Sequence, residues 1–341
     1  MTTDTLLTSL AELAQGRHLT PDLARASMET IMAGEATPAQ MGAFLMGLRI
    51  KGETADEIAA LAGVMREKAL RVTTSRTPLI DTCGTGGDQS GSFNISTTVA
   101  FVVAGAGAAV AKHGNRSVSS RCGSADLLAA LDVDIDMTAE RASRCLDEVG
   151  IAFLFAPLYH EATKHVVGPR RELGMRTVFN VLGPLTNPAH APHQLVGVFD
   201  PELTETLARV LGQLGSKRAA VVAGLDGLDE ISLSGPTRVA ELDSGQVTVR
   251  EVKPEDFGLD PAPLDAIAGG TAEENAMITQ EVLEGAKGPA RRIVVLNAAA
   301  ALWAAELAED WKQGIELARQ SIDSGAAHKK LQELVRFGGR S

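Results

Sequence analysis

The sequence contains few cysteines and has no long apolar run. Cys83, Cys122 and Cys145 form no CxxC pair, and an odd number of cysteines does not fit a disulfide framework. We therefore expect a reducing, cytoplasmic compartment. The longest uncharged apolar run, 99–111, is far shorter than the roughly 20 residues that a membrane helix needs. Since the N-terminal sequence also has no basic start followed by an apolar stretch, we expect neither a signal peptide nor contact with a membrane.

Basic residues are also in the minority. The 341 residues include 32 Lys and Arg against 43 Asp and Glu, which gives a net charge of −11. Such a chain repels a phosphodiester backbone unless its basic side chains are gathered in one place. We therefore expect no nucleic-acid partner, whereas a small, highly charged phosphate ester in a local basic pocket is compatible with this charge.

Two kinds of pattern follow one another along the chain. Residues 1–72 carry helix signals only: Thr20 and Thr37 each precede a proline at the first helical position, and Thr37 and Thr54 each begin a capping-box pattern. From residue 73 onward, short apolar strands alternate with helical patterns, which predicts a mostly parallel sheet flanked by helices. The predicted strands are 79–80, 108–112, 151–155, 194–199 and 218–223, followed by a hairpin at 237–252.

These patterns predict an α/β protein with a small all-helical domain and a larger α/β domain. The segment 157–190 looks irregular and has too few strand signals for the sheet, so we expect it to return to the helical unit. The helical domain would then comprise 1–72 and about 157–190, and the α/β domain would comprise 73–156 and 191–341. A cleft between two such domains is a common place for ligands.

The segment Asp81–Thr97, DTCGTGGDQSGSFNIST, has the strongest local pattern. Its glycines permit positive φ angles and close approach to a ligand, and the helix that begins near Ser96 directs free N–H groups to the same place. The Ser96 hydroxyl could also coordinate Mg²⁺. Taken alone, the loop could equally be an ordinary strand-to-helix turn, since it matches neither the dinucleotide fingerprint nor the Walker loop.

A basic loop and an acidic loop follow later strands. Lys112, Arg116 and Arg121 are interleaved with serines and glycines, which suits a ligand with several phosphates, although a solvated basic loop is the alternative. Asp229 and Glu230 follow the strand 218–223, and such adjacent acids suit Mg²⁺, although an acidic turn is more often simply solvated. A fourth segment, 168–188, contains several arginines that could grip a carboxylate, and their spacing does not choose among them.

In this order and spacing, the motifs DTCGTGGD, FNIST, KHGNRSVSS, GPRRELGMRTVFNVLGPLTNP and DGLDE resemble the anthranilate phosphoribosyltransferases of tryptophan biosynthesis. The resemblance runs from about residue 5 to 338. It implies transfer of the phosphoribosyl group of 5-phosphoribosyl 1-pyrophosphate to the amine of anthranilate. It also implies two Mg²⁺ ions as cofactors and a homodimer formed through the helical domains.

The resemblance also implies roles for single residues. The donor, phosphoribosyl pyrophosphate, would be bound by Gly84, Gly87, Asp88, Ser92, Asn94, Ile95, Ser96, Thr97, Lys112, His113, Gly114, Asn115, Arg116, Ser117, Val118, Ser119, Ser120 and Ser124. The Mg²⁺ ions would be held by Ser96, Asp229 and Glu230. Anthranilate would contact Gly84, Asn115 and Arg170, the last through its carboxylate. The expected catalytic residues are Lys112, His113 and Arg170.

Two other functions are compatible with this type of fold. A pyrimidine nucleoside phosphorylase would have a different glycine loop and little use for the acidic pair Asp229 and Glu230. A non-catalytic, nucleic-acid-binding relative would need a broad basic surface, which conflicts with the net charge of −11.

Overall fold

The N-terminal part of the protein is a bundle of four helices. The structure is a computed structural model that describes residues 2–88, 90–117 and 121–339, with side chains from residue 5 onward. The bundle consists of α1 (Thr2–Ala14), α2 (Pro21–Met32), α3 (Pro38–Lys51) and α4 (Ala55–Lys68). Thr20, Thr37 and Thr54 cap α2, α3 and α4, and the last two form complete capping boxes with Gln40 and Glu57. The predicted helix starts are therefore confirmed.

A sheet of seven strands within the described residues forms the centre of the remaining chain. The strands are β1 (Leu79–Gly84), β2 (Ala109–Gly114), β3 (Ile151–Phe155), β4 (His193–Gly197), β5 (Arg218–Gly224), β6 (Thr237–Asp243) and β7 (Gln246–Val252). Their order is β3-β2-β1-β4-β5-β6-β7, with parallel pairing from β3 to β5 and antiparallel pairing from β5 to β7. This arrangement confirms the predicted α/β class and the hairpin at 237–252.

The sheet is flanked by helices on both faces. The helices that follow the bundle are α5 (Ile95–Gly105), α6 (Ser124–Ala130), α7 (Ala139–Glu148), α8 (Ala156–Tyr159), α9 (Lys164–Leu173), α10 (Phe179–Leu182), α11 (Leu203–Gln213), α12 (Ala272–Leu283), α13 (Pro289–Ala304), α14 (Trp311–Asp323) and α15 (Ala326–Gly338). Not one helix in the described part of the chain is long and apolar enough to cross a bilayer.

Two regions differ from the sequence-based expectation. Strand β1 extends to Gly84 rather than ending at Ile80, because Thr82 and Cys83 are buried and pair with β4. The segment 157–190 is largely helical rather than irregular: it contains α9, which packs against α2 and α3 and buries Val166. Pro169 inside α9 obscured its helical pattern. The division into two discontinuous domains stays a prediction.

The sheet contributes to two separate hydrophobic cores. On one face Leu195 and Ala220 pack with α5 and α13, whereas their neighbours Val196 and Val221 point to the opposite face and join the core of the helical bundle. This alternation follows from the pleat of a strand, which directs successive side chains to opposite faces. One core therefore extends from the sheet, across α11, into the bundle.

Candidate active site

Three loops meet at the carboxyl ends of the parallel strands, where open α/β sheets bind ligands. The glycine loop (84–94) follows β1, the basic loop (115–123) follows β2, and the acidic loop (225–236) follows β5. The glycine and acidic loops are in direct contact, because the Gly86 N–H donates a hydrogen bond of 2.9 Å to Asp229 Oδ2. The structure thus brings together two of the motifs that the sequence predicts to act on one ligand.

Two glycines allow the acidic loop to lie this close to the sheet. A Cβ on Gly197 would lie 1.6 Å from the Asp229 carbonyl oxygen, and a Cβ on Gly84 would lie 2.9 Å from Asp229 Oδ2. Any side chain at Gly197 would therefore displace the acidic loop from the strand ends.

The acidic pair is electrostatically crowded. Burial, together with the nearby negative charge of Asp88, raises the pKa of Asp229 to about 7. Burial also raises the pKa of Glu230 well above its ordinary value, with Asp229 adding to the effect, and Lys112 only partly opposes it. Carboxylates held together in this way favour a cation. Asp88, predicted only as a donor ligand, thus belongs to the acidic cluster as well.

The donor set around this pair fits Mg²⁺. In the described residues no three His, Cys, Asp or Glu side chains converge as a ready-made metal site. Mg²⁺ usually takes one or two carboxylates and completes its coordination with waters and substrate oxygens, so a partial protein set is what this ion requires. Ser96 lies beside the pair, since its backbone hydrogen-bonds to the Glu230 carboxylate and lowers the pKa of that group.

Lys112 is the buried cation of the site. It lies at the end of β2 with 3% of its surface exposed, and its Nζ donates to the Thr82 carbonyl oxygen at 2.5 Å and to Ser96 Oγ at 3.4 Å. Burial lowers the pKa of Lys112, while the charge of Asp81 acts in the opposite direction. Lys112 therefore links the end of β2 to the start of α5, where the glycine loop ends.

Sequence reasoning missed the buried group that supports Lys112. Asp81 is fully buried; its Oδ1 accepts from the His113 N–H at 3.1 Å and its Oδ2 from Asn187 Nδ2 at 2.7 Å. Asn187 Nδ2 also donates to the Ala111 carbonyl oxygen at 2.8 Å. Burial raises the pKa of Asp81 to about 6 against the attraction of Lys112. Both residues lie inside the recognised motifs, but only the fold brings them together.

The basic loop is held by the start of α6. Asp126 accepts hydrogen bonds from Arg116 Nη1, the Ser117 N–H and the Gly123 N–H, and Ser124 Oγ exchanges two hydrogen bonds with the Asn115 backbone. Arg116 is therefore ion-paired with the first turn of α6, which the sequence did not indicate. The predicted donor ligands Val118, Ser119 and Ser120 lie outside the described residues.

Several predicted donor ligands at the start of α5 are turned toward the protein. The Ile95 side chain is part of the core, and Thr97 Oγ1 is buried without a hydrogen-bond partner in the described chain. The Asn94 amide donates to the Cys122 carbonyl oxygen and accepts from Asn275, which leaves one N–H for a ligand. Ser92 lies in the glycine loop, where its N–H donates to Ser90 Oγ.

His113, predicted to be a catalytic residue, is buried next to His160. Burial, with His160 nearby, lowers the pKa of His113 to about 3, so its ring is neutral at physiological pH. The His113 ring hydrogen-bonds the Gly183 backbone, and its Nε2 is buried with no partner among the described residues. The ring centroids of His113 and His160 are 5.1 Å apart.

Arg170 is a half-buried arginine that stacks on an aromatic ring. Its guanidinium carbon lies 5.1 Å from the centre of the Phe179 ring, and burial lowers its pKa. Within the described chain, no hydrogen bond or ion pair joins its side chain to another residue, including Asn115 and Gly84. An unpaired, partly desolvated guanidinium is suited to bind a carboxylate in its planar fork.

A second missed residue positions the acidic loop. Asn297, fully buried on α13, accepts a hydrogen bond from the Ile231 N–H at 2.9 Å and donates to the Ile231 carbonyl oxygen at 3.0 Å. Ile231 directly follows Glu230. Because α13 carries no polar motif, the sequence offers no signal for this role.

Comparison with known proteins identifies the family. Residues 8–69 match the model of the glycosyl transferase family helical bundle domain, and residues 76–328 match the model of its a/b domain. The chain is 58% identical over 330 residues to the anthranilate phosphoribosyltransferase of Moorella thermoacetica, covering 97% of both chains.

Two solved structures have the same fold. The anthranilate phosphoribosyltransferase of Thermus thermophilus superposes with a TM-score of 0.92 at 44% identity, covering 96% of this chain and 98% of that one. The enzyme of Saccharomyces cerevisiae, in complex with PRPP (phosphoribosyl pyrophosphate) and Mg, superposes with a TM-score of 0.89 at 28% identity, covering 98% of both chains. Near-complete coverage, together with the site geometry, shows that the chain belongs to the anthranilate phosphoribosyltransferase family.

Proposed function

We propose that the protein transfers the phosphoribosyl group of PRPP to the amine of anthranilate, giving N-(5-phosphoribosyl)anthranilate and pyrophosphate, in L-tryptophan biosynthesis. The observation that carries this proposal is the meeting of the glycine loop and the acidic pair around the buried Lys112. This arrangement provides backbone donors, a fixed cation and carboxylates for metal at one place. The anthranilate phosphoribosyltransferase of Moorella thermoacetica, whose similarity covers 97% of this chain, supports the same conclusion.

The direct test is to follow the loss of anthranilate fluorescence when the pure protein is mixed with anthranilate, PRPP and Mg²⁺. Consumption of anthranilate should require both PRPP and Mg²⁺. Phosphorolysis of thymidine or uridine without consumption of anthranilate would instead identify a pyrimidine nucleoside phosphorylase. A salt-sensitive gel shift with nucleic acid would point to the non-catalytic, nucleic-acid-binding type.

We assign the donor to the glycine and basic loops. In the reaction, pyrophosphate leaves C1 of the ribose while positive charge builds on the sugar ring. The chain's contribution is electrostatic: Lys112 and the N–H groups at the start of α5 face the departing oxygens and need not reorganise during the step. The fixed position of Lys112 between Thr82 and Ser96 supports this role.

Ser96, Asp229 and Glu230 would hold the metal, with Glu230 shared between two Mg²⁺ ions. Bound Mg²⁺ would neutralise part of the pyrophosphate charge and stabilise the leaving oxygens. The raised pKa values of Asp229 and Glu230 support this assignment, because a cation relieves their mutual repulsion. The yeast relative's complex with PRPP and Mg supports the use of the metal, and the number of ions is our inference.

We assign anthranilate to Arg170, Asn115 and Gly84, with Arg170 binding its carboxylate. His113 would orient the amine, since its Nε2, which has no partner among the described residues, can accept a hydrogen bond from an N–H. With a pKa of about 3, His113 is a weak base. An aromatic amine has a free lone pair at neutral pH, so the chain contributes through positioning rather than strong base catalysis.

The protein would act as a homodimer, formed through the helical bundle. This proposal is supported by Ile50 and Leu7 on the bundle, which are 79% and 51% exposed. Sedimentation analysis of the wild type and of Ile50→Glu would test it, because a charge in an apolar interface favours the monomer. A cytoplasmic location is consistent with the three cysteines, which are buried and form no disulfide among the described residues.

A further inference from the structure

The glycine loop is held by several elements of the fold at successive residues. The Thr85 N–H donates to the Gly197 carbonyl oxygen at 2.9 Å, and Thr85 Oγ1 accepts from the Phe199 N–H at 3.2 Å. The Gly86 N–H is bonded to Asp229. The loop therefore has little freedom at Thr85 and Gly86. The next residue, Gly87, is one of the predicted donor ligands.

Arg176 provides the contact at Gly87. It lies between α9 and α10, and its Nη2 donates a hydrogen bond to the Gly87 carbonyl oxygen. The same guanidinium lies over the Phe199 ring, with its central carbon 3.8 Å from the ring centre. Phe199 is the residue whose backbone holds Thr85. Arg176 and Phe199 therefore hold the glycine loop at Gly87 and at Thr85, and the pair is termed the clasp.

Arg176 also connects the glycine loop to the segment that carries Arg170. Arg170, the proposed carboxylate ligand, lies on the same segment at the last turn of α9, and Gly174 ends that helix just before Arg176. No ion pair satisfies Arg176 in the part of the chain that the structure describes, so its cation serves the loop and the aromatic ring. A lysine could not reproduce both contacts, because only the planar guanidinium can stack and donate at the same time.

We propose that Arg176 is a positioning residue that couples the two substrate sites, by fixing Gly87 of the donor loop to the segment that carries Arg170. This inference rests on the proposed function, since it concerns the donor and acceptor of that reaction. A donor bound at Gly87 would act on the contact that Arg176 makes there, and through Arg176 this effect would reach the segment that carries Arg170. Coupling between two sites is reciprocal, so each substrate should tighten the binding of the other.

The test compares Arg176→Gln, Arg176→Lys and Phe199→Leu with the wild type. The affinity for Mg²⁺-pyrophosphate is measured by calorimetry, and the KM for PRPP and anthranilate by steady-state kinetics. The coupling is measured as the ratio of anthranilate dissociation constants without and with Mg²⁺-pyrophosphate. Arg250→Gln is the matched control, because Arg250 also stacks on an aromatic ring, that of Trp311 at 4.8 Å, away from the site.

We expect Arg176→Gln to raise the PRPP KM by about ten- to a hundredfold, the range for a lost charge-assisted hydrogen bond, and to bring the coupling ratio close to one. Arg176→Lys should be impaired in the same way but less. Adding Phe199→Leu to Arg176→Gln should cost less than the sum of the two, because they share one contact. Arg250→Gln should leave both quantities at the wild-type value.

An unchanged PRPP KM in Arg176→Gln, or an unchanged coupling ratio, would overturn the proposal. A loss of melting temperature without either change would identify Arg176 as a structural brace and would also overturn it. If Arg176→Gln does not fold, Arg176→Lys and Phe199→Leu carry the same test. If the proposed function is wrong, the wild type will consume no anthranilate. The calorimetry with Mg²⁺-pyrophosphate will still show whether the clasp affects binding at the glycine loop.

Discussion

Two buried clusters of lysine and carboxylate, one in the helical bundle and one in the active site, have opposite electrostatics. In the bundle, burial would raise the pKa of Glu57, but hydrogen bonds from Lys51, Thr54 and Leu19 bring it below its ordinary value. At the active site, Asp229 and Glu230 have raised pKa values, although Lys112 is nearby. The first cluster satisfies its own charges, whereas burial and mutual repulsion disfavour the charged form of the carboxylates in the second, an arrangement that favours binding of a cation.

The largest effect is expected when the carboxylates of the active-site cluster are neutralised. We expect Asp229→Asn combined with Glu230→Gln to lower turnover by roughly a thousandfold or more, because the proposed metal site would lose its carboxylates. The melting temperature without Mg²⁺ should stay the same or rise, since repulsion between carboxylates is removed. Kinetics over a Mg²⁺ titration, with differential scanning fluorimetry, would measure both. Undiminished rates at limiting Mg²⁺ would refute the metal role.

The reverse result is expected for the bundle cluster. Glu57→Ala should lower the free energy of unfolding by about 3–5 kcal/mol, because it leaves Lys51 buried without its partner. The KM values of the folded fraction should match those of the wild type. Urea denaturation and steady-state kinetics would test this pair of expectations. A stable variant with altered KM values would show that the bundle cluster also serves the reaction.

A third prediction concerns Arg170, the proposed ligand of the anthranilate carboxylate. Arg170→Ala should raise the KM for anthranilate by roughly thirtyfold, equivalent to about 2 kcal/mol for the lost carboxylate contact. The PRPP KM should change little, and stability should be nearly unaffected because the guanidinium has no ion-pair partner in the described chain. Steady-state kinetics with each substrate varied would decide. An increase in the PRPP KM alone would mean that the acceptor has been placed wrongly.

The smallest expected effect is a difference in pH dependence. Asp229 has a folded pKa of about 7 against an ordinary 3.8, so its contribution to stability is complete below about pH 4 and is lost as the pH rises through 7. Glu57 has a lowered pKa, so its contribution is present above about pH 4.5 and is lost as the pH falls through its folded value.

Melting curves of the metal-free protein would measure both slopes. Between about pH 5 and pH 8 the wild type should lose a few degrees relative to Asp229→Asn, and Mg²⁺ should remove the difference. Below about pH 4.5, Glu57→Gln should show a flatter decline than the wild type. Parallel curves in either range would contradict the assigned shift.

The local features of the fold were predictable, because they depend on neighbours in sequence. Capping threonines, the alternation of strands and helices and the hairpin at 237–252 are of this kind. The sequence also indicated the acidic pair and Lys112. It could not indicate that Asn187 meets Asp81, or that Asn297 holds Ile231, because these pairs form only when distant segments pack together.

Two errors have a shared physical cause. Strand β1 was predicted too short because Thr82 to Gly84 look like loop residues, and tertiary pairing with β4 overrides this preference. The helix α9 was hidden by Pro169 and by a polar composition, and it is stabilised by packing on the bundle. Where burial rather than local preference decides the conformation, sequence patterns lose their value.

The core that the sheet shares with the helical bundle limits how this protein can be divided. A fragment starting at residue 73 would lose α4 and would expose the side of α11 that faces the bundle to water. Such a truncated enzyme would tend to aggregate, and a chimaera with a foreign bundle would need a matching set of side chains on β4, β5 and α11. An exchange of the bundle between relatives must therefore include both sides of this interface. The residues of the interface come from several separate segments of the chain.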